Sequence, residues 1–377
     1  VEAFFLILLI PVVLAFIGRR LFKTTITWEE MALQLVVVVA LVTGLWFAGT
    51  YSQTADFEIW NGQVISKHRD HGHYLQSYQC NCRTTCNGES CSTTCDTCYE
   101  DRYTVDWYLK TTIGKIQLDY LDRGSRSVYN TLDPQQYVAA YVGEPCSKEV
   151  PYTNYIKAVP ESLFNMSDVK ILAQFDNMLP SYPRVHGYYK INRVGTVGVN
   201  LPNKSEWNDR LSDHLRTIGP KKQANIILFF VNTDDQSYRY ALELNWLGGK
   251  KNDIIVIVGV TEYPNISWVD TITLGQNAGN SLMTVEMRDT LQALGTIENV
   301  ELFVDTLVNI VDTRFDRKPM ADFEYLKDSI QPPLWLIIVT AIASVFISVG
   351  LIWWFHTHTH LKIDWKFSNS RNYRRWR

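Results

Sequence analysis

Uncharged apolar residues gather into three blocks along the chain. Residues 3–17 hold no charge and a single proline, Pro11; residues 31–48 are uncharged around Val36-Val37-Val38-Val39; residues 333–355 run uncharged to Trp353-Trp354. A helix needs about 20 apolar residues to cross the hydrocarbon core. The second and third blocks suit that length. The first reaches it once Leu21 and Phe22 extend the run, because Arg19 and Arg20 can snorkel. Three transmembrane helices are therefore expected, over about 3–22, 31–48 and 333–355. A cleaved leader has its positive charge before the apolar run. Here Glu2 precedes it and Arg19, Arg20 and Lys23 follow, so the first helix is expected to be retained.

Between the second and third blocks the period changes twice. From Phe57 the pattern alternates: Tyr103, Val105, Trp107 and Leu109 interleave with polar residues, and Ile116, Leu118 and Tyr120 do so again beyond Gly114. Alternation around a glycine turn reads as an antiparallel hairpin. Phe57–Trp60 and Gln136–Val142 offer further strands, giving a β-rich domain over 51–160 with a cysteine-rich insertion at 68–100. From about residue 200 the spacing becomes helical at Trp207, Leu211, Leu215 and Ile218. Asn225–Val231, Asp253–Val260 and Trp268–Leu274 are continuous apolar strands, separated by helical segments around Tyr238–Leu244 and followed by 285–294 and 300–311. Strands buried on both faces and alternating with helices indicate an α/β layer architecture over 161–330. The fold class expected is thus a mixed α+β/α/β membrane protein.

Composition adds the compartment. The 377 residues carry a net charge of -3, with 36 Lys and Arg against 39 Asp and Glu, which argues against a nucleic-acid partner. Basic residues cluster at Arg19, Arg20 and Lys23, and again in the tail over 356–377 at Lys362, Lys366, Arg371, Arg374, Arg375 and Arg377. Both clusters are expected on the cytoplasmic side. The N-terminus and residues 51–332 then lie outside, in a periplasmic, lumenal or extracellular space. The tail suits anionic lipid.

The ordered run Ile226–Val231, Tyr240–Leu244, Trp246-Leu247-Gly248, Lys250–Asp253 and Ile254–Val258 resembles the TPM domain, over roughly 195–315. That family includes secreted and membrane-anchored proteins linked to photosystem repair and to receptor accessory subunits. The chain departs from the family pattern where Ile254-Ile255, instead of Asn-Gly, follow Asp253, and where the third strand lacks an arginine. The stretch from His71 to Trp107 resembles uncharacterised membrane proteins of large tailed phages, a likeness that implies a bacterial inner membrane and carries no activity.

Two constellations bear chemistry. Cys80, Cys82, Cys86, Cys91, Cys95 and Cys98 crowd into one stretch, with His71 and His73 upstream and Cys146 apart. A segment without apolar residues needs a staple. Disulfides suit an oxidising compartment, and closely spaced thiolates with the histidines suit structural Zn2+. Six cysteines allow 15 pairings, so spacing leaves both readings open. Asp234, Asp235 and Asp253 fall at strand ends, where open sheets bind ligands. They are expected either to cap a helix or to hold Ca2+ or Mg2+ for phosphate-ester hydrolysis, an activity the TPM resemblance implies. The preferred function is an accessory or scaffold subunit that binds another membrane or envelope protein, or a further copy of itself. The alternative is a metal-dependent phosphatase.

Overall fold

A computed structural model describes residues 6–21, 27–87, 90–125, 131–159, 169–274 and 278–357. The chain forms two compact units, Val1–Ala55 with Thr153–Ser162 and Phe323–Arg377, and Asp56–Tyr152 with Leu163–Asp322.

The first unit contains α1 (Leu9–Leu21), α2 (Trp28–Thr54) and the final helix, α7 (Leu334–Thr357). A capping box starts α2: the Glu30 N–H donates to Thr27 Oγ1 at 3.3 Å, and the Thr27 N–H donates to Glu30 Oε2 at 2.8 Å. The polarity of this bundle is inverted. Its buried side chains include Glu30, Gln34, Thr340, Ser344 and Ser348, none more than 1% exposed. Val36, Phe47, Ile338, Phe346 and Trp353 point outward. On α7 the inward set recurs at every fourth position, Leu336, Thr340, Ser344, Ser348 and Ile352, which is one helical face. Thr340 and Ser344 satisfy their hydroxyls by donating to Leu336 O and Thr340 O, both at 2.7 Å, and Gln34 Nε2 donates to Pro11 O at 3.3 Å. Small and polar residues inside with apolar ones outside is how helices pack when lipid is the solvent. A Cβ at Gly18 would overlap Ile352 and one at Gly49 would overlap Leu336, so these glycines set the closeness of the helices. Two of the helices, α2 and α7, are long and apolar enough to cross a bilayer. The second expected span begins earlier and ends later than 31–48 because the capping box and a polar last turn extend it.

The second unit holds two principal sheets. The first has the order β3-β2-β1-β4, with β1 (Ala55–Asn87), β2 (Ser90–Thr111), β3 (Gly114–Asp122) and β4 (Pro145–Thr153). The expected hairpin around Gly114 is present, Thr111 pairing with Gly114 and Leu109 with Ile116. Val105, Trp107, Leu109, Ile116 and Leu118 fill its core. Two expectations are corrected. Residues 68–87 and 90–100 continue β1 and β2 instead of forming an inserted loop. Residues expected as a strand over 136–142 instead form a short helix, Gln135–Ala139, because Pro134 fixes a helix-compatible φ at its entry.

A two-residue ladder, β5 (Val185–His186) with β6 (Lys190–Ile191), leads into the second principal sheet, which has the order β10-β9-β8-β7. Its members are β7 (Val194–Val197), β8 (Asn225–Val231), β9 (Asp253–Gly259) and β10 (Trp268–Thr273). The first three are parallel, each joined to the next through a helix: α3 (Lys204–Lys222) and then α4 (Tyr238–Asn245). β10 returns antiparallel, since the short link after Gly259 has no room for a crossover helix. α3, α5 (Ala278–Ala293) and α6 (Val300–Arg314) contribute to the core on one face, and α4 to that on the other. Every residue of β8 and β9 is buried, as their apolar runs require.

Candidate functional site

The longest feature of the second unit is a two-stranded arm. β1 and β2 pair continuously from Ser66–Lys110 to Asn87–Ser90, with an irregularity between Cys80 and Arg83. β3 stops alongside Thr104. Beyond that point, from the Tyr74–Arg102 pair to the tip, no third strand flanks the ribbon among the described residues. Fourteen residues of β1 at ~3.3 Å each give a ribbon about 45 Å long. Such a ribbon has no interior, and a two-stranded hairpin alone is marginal in water.

Three disulfides supply what packing cannot: Cys80–Cys98, Cys82–Cys95 and Cys86–Cys91. All six clustered cysteines are therefore paired. His71 and His73 lie exposed at the base, opposite Val105 and Tyr103, where the His73 ring rests 6.5 Å from Tyr103. No group of three His, Cys, Asp or Glu side chains is placed to hold a metal ion among the described residues. The disulfide reading thus replaces the zinc one. The arm exposes Tyr74, Leu75, Tyr78 and Tyr99, the last of them 66% exposed. Cys146 is a buried free thiol in the root, pushed up to about 12 by burial, and so stays protonated at neutral pH.

The root of the arm is held differently. Arg193, immediately before β7, is 2% exposed. Its guanidinium donates to Asn225 Oδ1 at 2.7 Å, Asn61 Oδ1 at 2.6 Å and Ser147 Oγ at 2.8 Å. Asn61 lies on β1 and Ser147 on β4, so one side chain ties both sheets together. Burial pulls Arg193 down to about 10. Its counter-charge arrives through an amide: Asn225 Nδ2 donates to Asp253 Oδ1 at 2.8 Å. Asp253 also accepts from the Lys250 N–H at 2.7 Å and from the Tyr182 hydroxyl at 2.8 Å. Burial nevertheless pushes its carboxyl up to about 6. Gly219 on α3 completes the junction, because a Cβ there would overlap the Asn61 carbonyl.

A second layer of the junction pairs alternate acids of β1 with cations of the α/β part. Asp56 meets Lys250 at 2.5 Å; Glu58 meets Arg317 at 2.6 Å and Lys251 at 3.4 Å. The Trp60 indole donates to the same Glu58 oxygen at 2.8 Å. Burial lowers Lys251 despite that partner. A cavity of about 440 Å³ opens beside Arg193, lined also by Glu144, Tyr189, Asn208 and Ser212.

The three aspartates expected to act together are separated. Asp253 opens β9 and pairs with Asn225 at the start of β8, whereas Asp234 and Asp235 follow the far end of β8. A seven-residue strand sets these edges about 20 Å apart. Asp235 accepts the Ser237 N–H at 2.9 Å in a turn leading into α4, and its bonds with Ser237 hold its carboxyl below the usual range. Asp234 is exposed. His214 meets Asp305 at 2.9 Å beside Arg210 and joins α3 to α6.

Arg193, Asn61, Ser147 and Tyr182 escaped the sequence reading, since isolated polar residues give no periodic signal. The arm did leave one. In the sequence its cysteine pairs are nested about positions 88–89, and a glycine such as Gly88 between two strand-like runs is a hairpin signal. The chain matches no protein family, no curated protein and no solved structure.

Proposed function

We propose that this protein is a membrane-anchored interaction subunit whose disulfide-stapled arm contacts another membrane or envelope protein. One observation carries the reading: a ribbon without a core is made rigid by three disulfides and presents apolar side chains to solvent. Disulfides suit an oxidising compartment. Exposed apolar groups on a rigid support are what partner surfaces recruit, because little entropy is lost on binding. In this reading α1, α2 and α7 are three membrane spans, the basic tail lies in the cytoplasm, and both sheets lie outside. The α/β part, similar to a TPM domain, serves as the base on which the arm is mounted.

Chemical cross-linking of the full chain in native membranes tests this. The expected result is a specific protein partner whose recovery is lost when residues 76–100 are removed. Recovery of lipid alone, or of the same partner without the arm, would overturn it.

A further inference from the structure

The arm has two open edges of unlike charge. The β1 edge, Tyr74–Asn87, carries Arg83 as its sole charged residue. The β2 edge, Ser90–Arg102, carries Asp96, Glu100 and Asp101 against a single basic residue, Arg102, which pairs with Glu100 at 3.6 Å at the base of the arm. Exposed edge strands are ordinarily blunted by lysine, proline or strong twisting bulges. Neither stretch contains a lysine or a proline, and the ladder departs from regularity only between Cys80 and Arg83 among the described residues.

Resting on the reading of the arm as a contact element, we infer that its partner is the arm of a second copy of this chain. The β2 edge of one copy pairs antiparallel with the β1 edge of the next. Direction favours this arrangement. β1 and β2 run antiparallel within an arm, so two arms side by side and pointing the same way bring β2 of one against β1 of the other, again antiparallel. Copies anchored in one membrane share such an orientation.

Register favours it too. Within the arm Arg83 lies opposite Thr94, and Leu75 lies opposite Asp101 with Tyr99 two residues along. At the same level, Arg83 of the second copy meets Thr94 of the first with Asp96 next on that face. Leu75 of the second copy likewise falls beside Tyr99 of the first. Leu75, 64% exposed, and Tyr99 thus gain an apolar neighbour while opposite charges meet. Each contact uses two different edges, so the pairing is head-to-tail and builds rings or rows.

A charge exchange in full-length protein reconstituted in liposomes tests this, with a photo-cross-linking residue in place of Thr97. Arg83→Glu and Asp96→Lys are each expected to lower the cross-linked dimer about fivefold or more, since like charges then face each other. Mixing the two single variants restores it, because the lysine introduced in one copy meets the glutamate introduced in the other. The double variant in one chain restores it as well. Mass shifts on alkylation before and after reduction verify that the three disulfides persist in every variant. Single variants that cross-link like the wild type would overturn the inference. So would a wild-type protein that stays monomeric while its arm still captures a different membrane protein, an outcome that leaves the proposed function standing.

Discussion

The arm and its root belong to one unit of the chain but are stabilised by opposite means. Beyond Tyr74 the ribbon has almost no buried side chain and is closed by Cys80–Cys98, Cys82–Cys95 and Cys86–Cys91. The root, among its described residues, has no disulfide; Val105, Trp107 and Leu109 are fully packed, and Arg193 spans the two sheets. A packed root confines its side chains to the interior, so only the backbone frame is fixed there for external use. A stapled ribbon leaves both faces and both edges available while keeping its shape. The difference assigns support to the root and contact to the arm.

The contrast breaks most severely at Arg193. Arg193→Ala removes three buried, charge-assisted hydrogen bonds, to Asn61, Asn225 and Ser147, leaves those groups only the neutral bonds they make to one another, and empties space between the sheets, and should cost roughly 3–5 kcal/mol. Denaturant unfolding should show a lower midpoint, while peptide mapping still finds all three disulfides. An unchanged midpoint would mean that the sheets are held without it.

Asp253 sharpens the picture through pH. Its folded carboxyl stands at about 6, above the ordinary 3.8, so the folded state keeps a proton that the unfolded chain releases between those values. This group therefore favours folding below about pH 4, and its contribution falls as pH rises through 6, by roughly 3 kcal/mol in all. In Asp253→Asn the proton linkage is gone. The stability difference between wild type and variant should accordingly shift across about pH 4 to 7; a flat difference would place no titrating group there.

The arm should respond to covalent change alone. Replacing Cys86 and Cys91 by serine removes a short cross-link worth about 2 kcal/mol. Hydrogen exchange should then rise along 74–101 and stay unchanged in β8 and β9. Smallest of all, Leu75→Ser and Tyr99→Ser lie on exposed positions and should move stability by no more than about 0.5 kcal/mol. They should nevertheless reduce cross-linking to a partner. A large loss of stability would show that these residues hold the fold instead.

Much of the scaffold was legible because burial leaves a periodic trace. β8 and β9 are unbroken apolar runs, and the Gly114 hairpin alternates; both appear where the sequence places them. The inverted bundle was half legible: uncharged blocks announced the helices, while the inward seam of Thr340, Ser344 and Ser348 emerges only from packing. The arm's strands show no alternation because its residues have no buried face to impose it, and only the nested order of its cysteines marks it. Lys250 and Lys251 give no sequence sign of their partners, since they answer Asp56 and Glu58 nearly two hundred residues earlier, a pairing that only the tertiary fold creates. The aspartates misled for a similar reason, since one strand end resembles the other in sequence although the sheet separates them.

Site-specific photo-cross-linking in native membranes tests the central claim most directly. A photo-reactive residue is placed at Tyr78 on the arm and, separately, at Tyr240 on α4, which are 49% and 52% exposed. The arm position should yield a discrete cross-linked protein, either a different chain or a second copy, and the α4 position should yield none. Equal yields from both positions, or a product from α4 alone, would contradict the assignment of contact to the arm.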